Sequence, residues 1–393
     1  MQREAKAIAA PGVHDDLILL GSAFSLMCLG LGMVFIASNV MALTNYGDPF
    51  YFVKRQGFYG LLGVVALLWG RRIRYQNYQR WVYPFLVLSL ICLVLVFTPS
   101  IGGKVRGAAR WIRLGPFTLQ PSEFAKLAVV LYLAYSLAHK QEKMKFFTIG
   151  FLPHIVISGV FIGLIGIETD FGTALTLAAI VFIMIFVGGT RLTHLLLALG
   201  GVIVLAILAV LKDPKKSNRF LSFLDPWKYG ADVGYQLKQS LLAIGSGNLV
   251  GLGPGQSRAK LFYLPDAHTD FILSIFSEEM GFLGFLLVMA LFALLVVRGL
   301  RLSLKAPDTF GSYLALGLTL AIGLPAAISM GVVSGILPTK GLSLPFLSYG
   351  GSSLIASMLA VGILLNISCQ IKGPSGPRPV KIAAPSQGET ALP

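Results

Sequence analysis

Tyr263-Leu264-Pro265-Asp266-Ala267-His268-Thr269-Asp270-Phe271 runs without interruption into an apolar stretch, 270–297, that carries Glu278-Glu279. A polar loop here enters hydrocarbon and brings acids with it. At about 1.5 Å rise per helical residue, the glutamates lie about 12 Å deeper than Asp270. A carboxylate inside a bilayer is costly unless it faces protein or water, so such residues mark function by default. The structural alternative is that Asp270 caps the helix start while the glutamates pair with basic residues.

Working outward, composition fixes the class. Hydrophobic residues make up 55% of the chain and charged residues only 12%, with mean hydropathy +0.77. A water-soluble protein of 393 residues does not have this balance, whereas an all-α polytopic membrane protein does. Met1 to Asp16 is largely polar and a full-length span follows, so no cleavable signal peptide is read there. The net charge of +15 would suggest nucleic acid in a soluble chain. In a membrane protein it points instead to anionic lipid headgroups and an anionic substrate. Cys28, Cys92 and Cys369 fall in apolar stretches without metal-like spacing, so neither a disulfide nor a zinc site is expected.

Ten apolar stretches are legible, at 17–38, 57–70, 81–98, 121–138, 149–167, 171–189, 193–211, 270–297, 310–336 and 348–369. Most match the roughly 20 residues that cross hydrocarbon. The second is short unless Tyr51–Val53 extends it past Lys54 and Arg55, and only Glu168-Thr169-Asp170 separates the fifth from the sixth. An even number of spans puts both termini on one side. With the N-terminus inside, sixteen of the thirty-two basic residues are cytoplasmic, which is no bias at all. Eight of the outer ones lie in the loop 212–268, whose length makes it a poor guide, and discounting it favours the N-in topology. The organisation expected is a cytoplasmic segment 1–16, a membrane domain 17–370 with one large extracytoplasmic loop (212–269), and a disordered cytoplasmic tail 371–393.

Four constellations could carry chemistry. The first combines Lys104, Arg106, Arg110, Trp111 and Arg113 with Gln120-Pro121-Ser122-Glu123-Phe124-Ala125-Lys126, a basic cluster on a short outer loop, against the usual charge bias. Pro121 suits a first helical turn, and Glu123 and Lys126 lie three apart on one face, where an ion pair offsets the cost of both charges. Trp111 could equally be an interfacial anchor. The second is the glycine-rich run 245–255, flanked by Lys238, Arg258 and Lys260, which could present amides to phosphate oxygens beside Asp270 or simply be a flexible loop. The third, Leu344–Ser353, reads as close helix packing. The fourth is the stripe Ser274, Ser277, Gly281 and Gly284, which suits either a packed helix face or the wall of a groove.

Taken together, Gly107–Ile112, Gln120–Lys126, Gly234–Leu237, Ala243–Gly247, Leu264–Phe271, Glu278–Gly281 and Leu344–Ser353 resemble the SEDS family of peptidoglycan polymerases across roughly 17–370. Leu337-Pro338-Thr339-Lys340-Gly341 is more similar to its division branch, FtsW, than to its elongation branch, RodA. Two departures stand out: Thr169 where the family commonly has proline, and Asp266 where glutamate is commoner. The resemblance implies a peptidoglycan glycosyltransferase that polymerises lipid II with inversion during septal wall synthesis. Asp270 would be the essential acid, acting as general base on the acceptor 4-hydroxyl as undecaprenyl pyrophosphate leaves. Arg110, Trp111, Glu123, Lys126 and Lys340 would match family positions around a central cavity, with Lys238, Arg258 and Lys260 as further substrate-binding candidates. The implied partners are lipid II, a class B penicillin-binding transpeptidase, divisome proteins and membrane lipid, with no nucleic acid. The resemblance identifies no cofactor, and a divalent cation is compatible with the chemistry. The expected location is the bacterial inner membrane at the septum. A lipid II flippase, a non-catalytic scaffold and a RodA-type elongation polymerase remain alternatives.

Overall fold

The computed structural model describes residues 16–98, 102–105, 108–115, 117–201, 222–228, 234–264, 268–339 and 341–371. Ten helices coincide with the ten apolar stretches, in the order α1 (Leu17–Tyr46), α2 (Tyr51–Arg72), α3 (Tyr78–Leu95), α4 (Pro121–His139), α5 (Leu152–Ile167), α6 (Phe171–Val187), α7 (Leu192–Gly201), α9 (Ile272–Lys305), α10 (Thr309–Val333) and α11 (Gly351–Ile371). An amphipathic helix, α8 (Tyr235–Ser246), precedes α9 without being a span of its own. The short second stretch does begin at Tyr51, with Lys54 and Arg55 inside its first turn. Arg106, Lys340, Asp266, the N-terminal segment, the tail and much of the long loop lie outside the described residues.

The helices sort into an inner and an outer set. The most apolar windows of α10 and α11 are 67% and 72% buried, against 28% for α3 and α9. Lipid-facing helices can leave apolar side chains on the surface, and Trp69, Trp81, Leu88 and Leu283 are so exposed. Close approach within the inner set needs small residues. A β-carbon on Gly362 of α11 would sit 2.2 Å from the Leu67 carbonyl of α2, so only glycine allows that crossing.

A small antiparallel sheet covers one end of the bundle: β1 (Gly102–Val105), β2 (Ala108–Leu114) and β3 (Phe117–Leu119), in the order β1-β2-β3. The sequence predicts only a short outer loop over this stretch. It is too short and too charged for hydropathy to register as strands.

The longest helix, α9, is broken. Gly281 adopts φ 69°, ψ −169°, a region essentially reserved for glycine. Such a break leaves main-chain groups on both sides of it without their helical partners. The glycine-rich segment bonds four such groups: Leu252 and Gly253 amides donate to the Glu278 and Glu279 carbonyls at 3.0 Å, and the Phe282 and Leu283 amides donate to the Asn248 and Leu249 carbonyls at 2.9 and 3.1 Å. A β-carbon on Gly251 would lie 2.1 Å from the Glu279 carbonyl, so the segment must be this bare. The glycines here serve main-chain packing, and the amides of Leu252 and Gly253 are taken by protein. The serine–glycine stripe likewise packs on α8, where the Ser240 and Ser274 hydroxyls meet at 2.7 Å.

Two substitutions in one region separate these roles. Gly281→Ala is expected to lower the thermal unfolding midpoint of the purified protein, with a cost of roughly 1–3 kcal/mol for backbone strain alone. Gly245→Ala, whose added carbon meets nothing within 4 Å, is expected to leave the midpoint within error.

Candidate active site

Six helix ends converge beneath the sheet and enclose a cavity of about 490 Å³. Its walls come from the end of α1 and the start of α2 (Tyr46, Tyr51, Phe52, Arg55, Tyr59), from β2 (Arg110, Trp111) and from the first turns of α4 (Gln120, Glu123, Lys126) and α6 (Asp170, Thr173, Thr176). Residues 268–270 and 341–351 close it. Of the residues expected from sequence, Asp270, Arg110, Trp111, Glu123 and Lys126 all meet here.

The first turns of α4 supply an ion pair. Lys126 Nζ lies 3.0 Å from Glu123 Oε2, three residues apart, and both side chains are under one-tenth exposed. Gln120 ties this helix to two others, its amide donating to Ser352 Oγ at 2.9 Å and its side chain to Asp170 Oδ2 at 3.1 Å.

Arg110 reaches from β2 to the turn between α5 and α6. Its Nε donates to the Glu168 carbonyl at 3.3 Å, one terminal nitrogen donates to the Thr169 carbonyl, and another lies 3.9 Å from Asp170 Oδ1. Thr169 stands in the left-handed region at φ 64°. Proline cannot adopt that angle, so the departure from the family pattern at this position has a geometric consequence. Asp170 caps α6 through the Thr173 amide, and burial raises its pKa while Arg110 opposes the rise.

Asp270 is half-buried at the cavity wall. The preceding residues are pinned from two sides: His268 rests 4.9 Å from the Phe52 ring, its carbonyl accepts from the Tyr349 amide at 3.0 Å, and Ser348 Oγ donates to the Thr269 carbonyl. A β-carbon on Gly341 would come within 2.8 Å of Asp270 Oδ2, so glycine there leaves room for the carboxylate. The Leu344–Ser353 segment, read from sequence as packing, thus also holds the acid's backbone in place.

Three sequence candidates are placed elsewhere. Lys260 pairs with Glu279 at 3.3 Å, Lys238 lies over the Trp227 ring at 5.5 Å, and the Arg258 amide donates to Glu278 Oε1 at 3.1 Å. Glu278 also accepts from the Ala259 amide at 3.2 Å and from the Ser257 hydroxyl. The deep glutamates thus anchor the loop, as the structural alternative for them anticipated. Conversely, Arg55 and Asp170 were not among the candidates although both line the cavity. A charge at the start of an apolar helix was their only local signal, Arg55 just inside α2 and Asp170 at the N-cap of α6.

Fold and cavity together define a polytopic membrane protein with a charged site at one end of its bundle. The family profile FTSW_RODA_SPOVE, described as a cell cycle protein, matches residues 17–373, and the chain belongs to that family. It is 46% identical over 362 residues to "Probable peptidoglycan glycosyltransferase FtsW" of Geobacter metallireducens, covering 91% of this chain and 96% of that one. It is 41% identical to the stage V sporulation protein E of Bacillus subtilis, over 90% of this chain and 96% of that one. Among solved structures, Thermus thermophilus RodA superposes with a TM-score of 0.65 at 27% identity, covering 91% and 97% of the two chains. A chain from the structure described as "Structural coordination of polymerization and crosslinking by a peptidoglycan synthase complex" gives 0.76 at 28% identity, over 92% and 100%.

Glu168, in the α5–α6 turn, makes a pH-dependent contribution. It is 1% exposed, neither carboxyl oxygen has a hydrogen-bond partner among the described residues, and burial, reinforced by Asp170, pushes its pKa from 4.5 up to about 8. The folded state therefore holds a proton that the unfolded chain has released, and stability falls as pH rises from about 4.5 to about 8. Glu168→Gln is expected to flatten the fall in melting temperature between those limits and to be the more stable form at the upper one.

Proposed function

We propose that this chain is a peptidoglycan glycosyltransferase whose reaction takes place in the cavity around Asp270. The observation that carries the proposal is the meeting of that carboxylate with Arg110, Trp111, Glu123 and Lys126 at one end of a membrane bundle. The substrate is lipid II. Asp270 accepts the proton of the acceptor sugar's 4-hydroxyl as that oxygen bonds to C1 of the donor chain. The C1–pyrophosphate bond breaks and undecaprenyl pyrophosphate leaves.

Arg110 is the better-placed cation for the leaving group, because carbonyls hold it from behind and Asp170 lies a full 3.9 Å away. Lys126 is already matched by Glu123 and acts on the substrate only as part of that pair. Fixed donors and charges of this kind favour a transition state because they need no rearrangement as charge develops. We read the site as lying on the outer face with both termini inside, and the basic residues at the opposite ends of α2 and α9 support that topology.

A class B transpeptidase is the proposed partner, as the match to a chain of a peptidoglycan synthase complex supports. The septal role rests on the similarity to FtsW relatives and on Leu337–Gly341, of which Lys340 lies outside the described residues.

The deciding experiment supplies purified protein, with and without the transpeptidase, with lipid II and resolves the glycan on gels. Asp270→Ala is expected to insert normally and to make no polymer. Chains of normal length from that variant would remove the general-base role, and headgroup translocation without polymer would favour a flippase. Depletion in a rod-shaped native host is expected to give undivided filaments; round cells with normal septa would favour the elongation role.

A further inference from the structure

A second pocket, of about 350 Å³, lies at the opposite end of the bundle from the cavity, where α1 begins and α9 and α11 end. Arg298, Arg301 and Lys305 meet Asp16 there, with Leu302 and Ser368 in the wall. Arg298 is spoken for: its Nε and a terminal nitrogen grip both Asp16 oxygens at 2.8–3.1 Å. Arg301 and Lys305 are exposed, and among the described residues no carboxylate pairs with either. Among the described residues of its wall, three cations stand against one carboxylate.

Two further features point to what the pocket accepts. Ser368 is 1% exposed and its hydroxyl has no hydrogen-bond partner among the described residues, an uncommon state for a buried donor. An oxyanion between it and the two free cations would satisfy it. In addition, Leu300 and Leu304 each directly precede a pocket cation, and they are 36% and 86% exposed on the outside of α9. An apolar rail thus leads to a cationic end, as a molecule with acyl chains and an anionic head requires. A soluble phosphate would use the cations and the hydroxyl but not the rail.

We propose that this pocket binds the phosphate of an anionic phospholipid, with Arg301 and Lys305 as its counter-ions and Ser368 as a hydrogen-bond donor. Asp16 holds Arg298 in place and closes the inner wall. Basic pockets between transmembrane helices recognise phospholipid headgroups in this way. The site is remote from the glycosyl-transfer cavity and does not depend on the reaction assigned to it.

The test counts lipids on the purified full-length protein by native mass spectrometry during titration with phosphatidylglycerol, with zwitterionic phosphatidylcholine as comparison. The protein is expected to retain phosphatidylglycerol in preference. Arg301→Gln combined with Lys305→Gln is expected to weaken that binding by about thirtyfold, at about fivefold per basic residue. Arg301→Lys with Lys305→Arg, which keeps both charges, is expected to retain it. Equal retention of the two lipids by the unaltered protein would overturn the proposal, without reference to any variant's folding. Equal binding of phosphatidylglycerol by the glutamine variant would overturn it too, and so would its displacement by millimolar inorganic phosphate, which would assign the pocket to a soluble anion.

Discussion

Inside a bilayer no water completes an unpaired amide, carbonyl or charge, and at the interruption of α9 this protein meets that constraint by pairing the helix with another segment. Beside the break at Gly281, residues 248–253 bond four main-chain groups of the helix. The glutamates just before the break then accept the amides of 257–259 and the ammonium of Lys260. A helix end, a loop and a buried acid pair are thereby locked together. The chain that leads from this lock to Asp270 starts from a fixed point.

The cavity follows the same rule with charges. Lys126 is matched by Glu123, and Arg110 is held by two carbonyls with Asp170 behind them. Carbonyl dipoles position a guanidinium without cancelling its charge, whereas a carboxylate at 3.0 Å largely does. The two basic residues, alike on paper, therefore offer an incoming anion different fields. Thr169 is part of this arrangement, since its left-handed backbone aims a carbonyl at Arg110 where proline could not follow the same path.

Much of the site was legible in the sequence because its residues broke local rules. Arg110 lay on a loop too basic for its expected side, Lys126 sat too deep in a span, and its spacing from Glu123 fixed the pair. Lys238, Arg258 and Lys260 were grouped with them by closeness along the chain, yet the long loop carries each to a different partner. Asp170 escaped notice because a short acidic turn between two helices looks like any other turn. Only the reach of Arg110 and Gln120 across the bundle gives it a place in the cavity wall.

The sequence by itself determined the class and the spans. Transfer of a side chain into hydrocarbon is a local, roughly additive quantity, so ten helices fall where ten apolar stretches are. It also determined that acids and bases would lie at span ends, because their cost forbids most other places. The tertiary structure alone decided what each polar group does. Whether a glycine run cradles an anion or repairs a broken helix, and whether a lysine faces substrate or a glutamate, depends on residues far away in the chain. Hydrogen bonds and ion pairs act only over a few ångströms, and the distances between helices that govern them are set by packing.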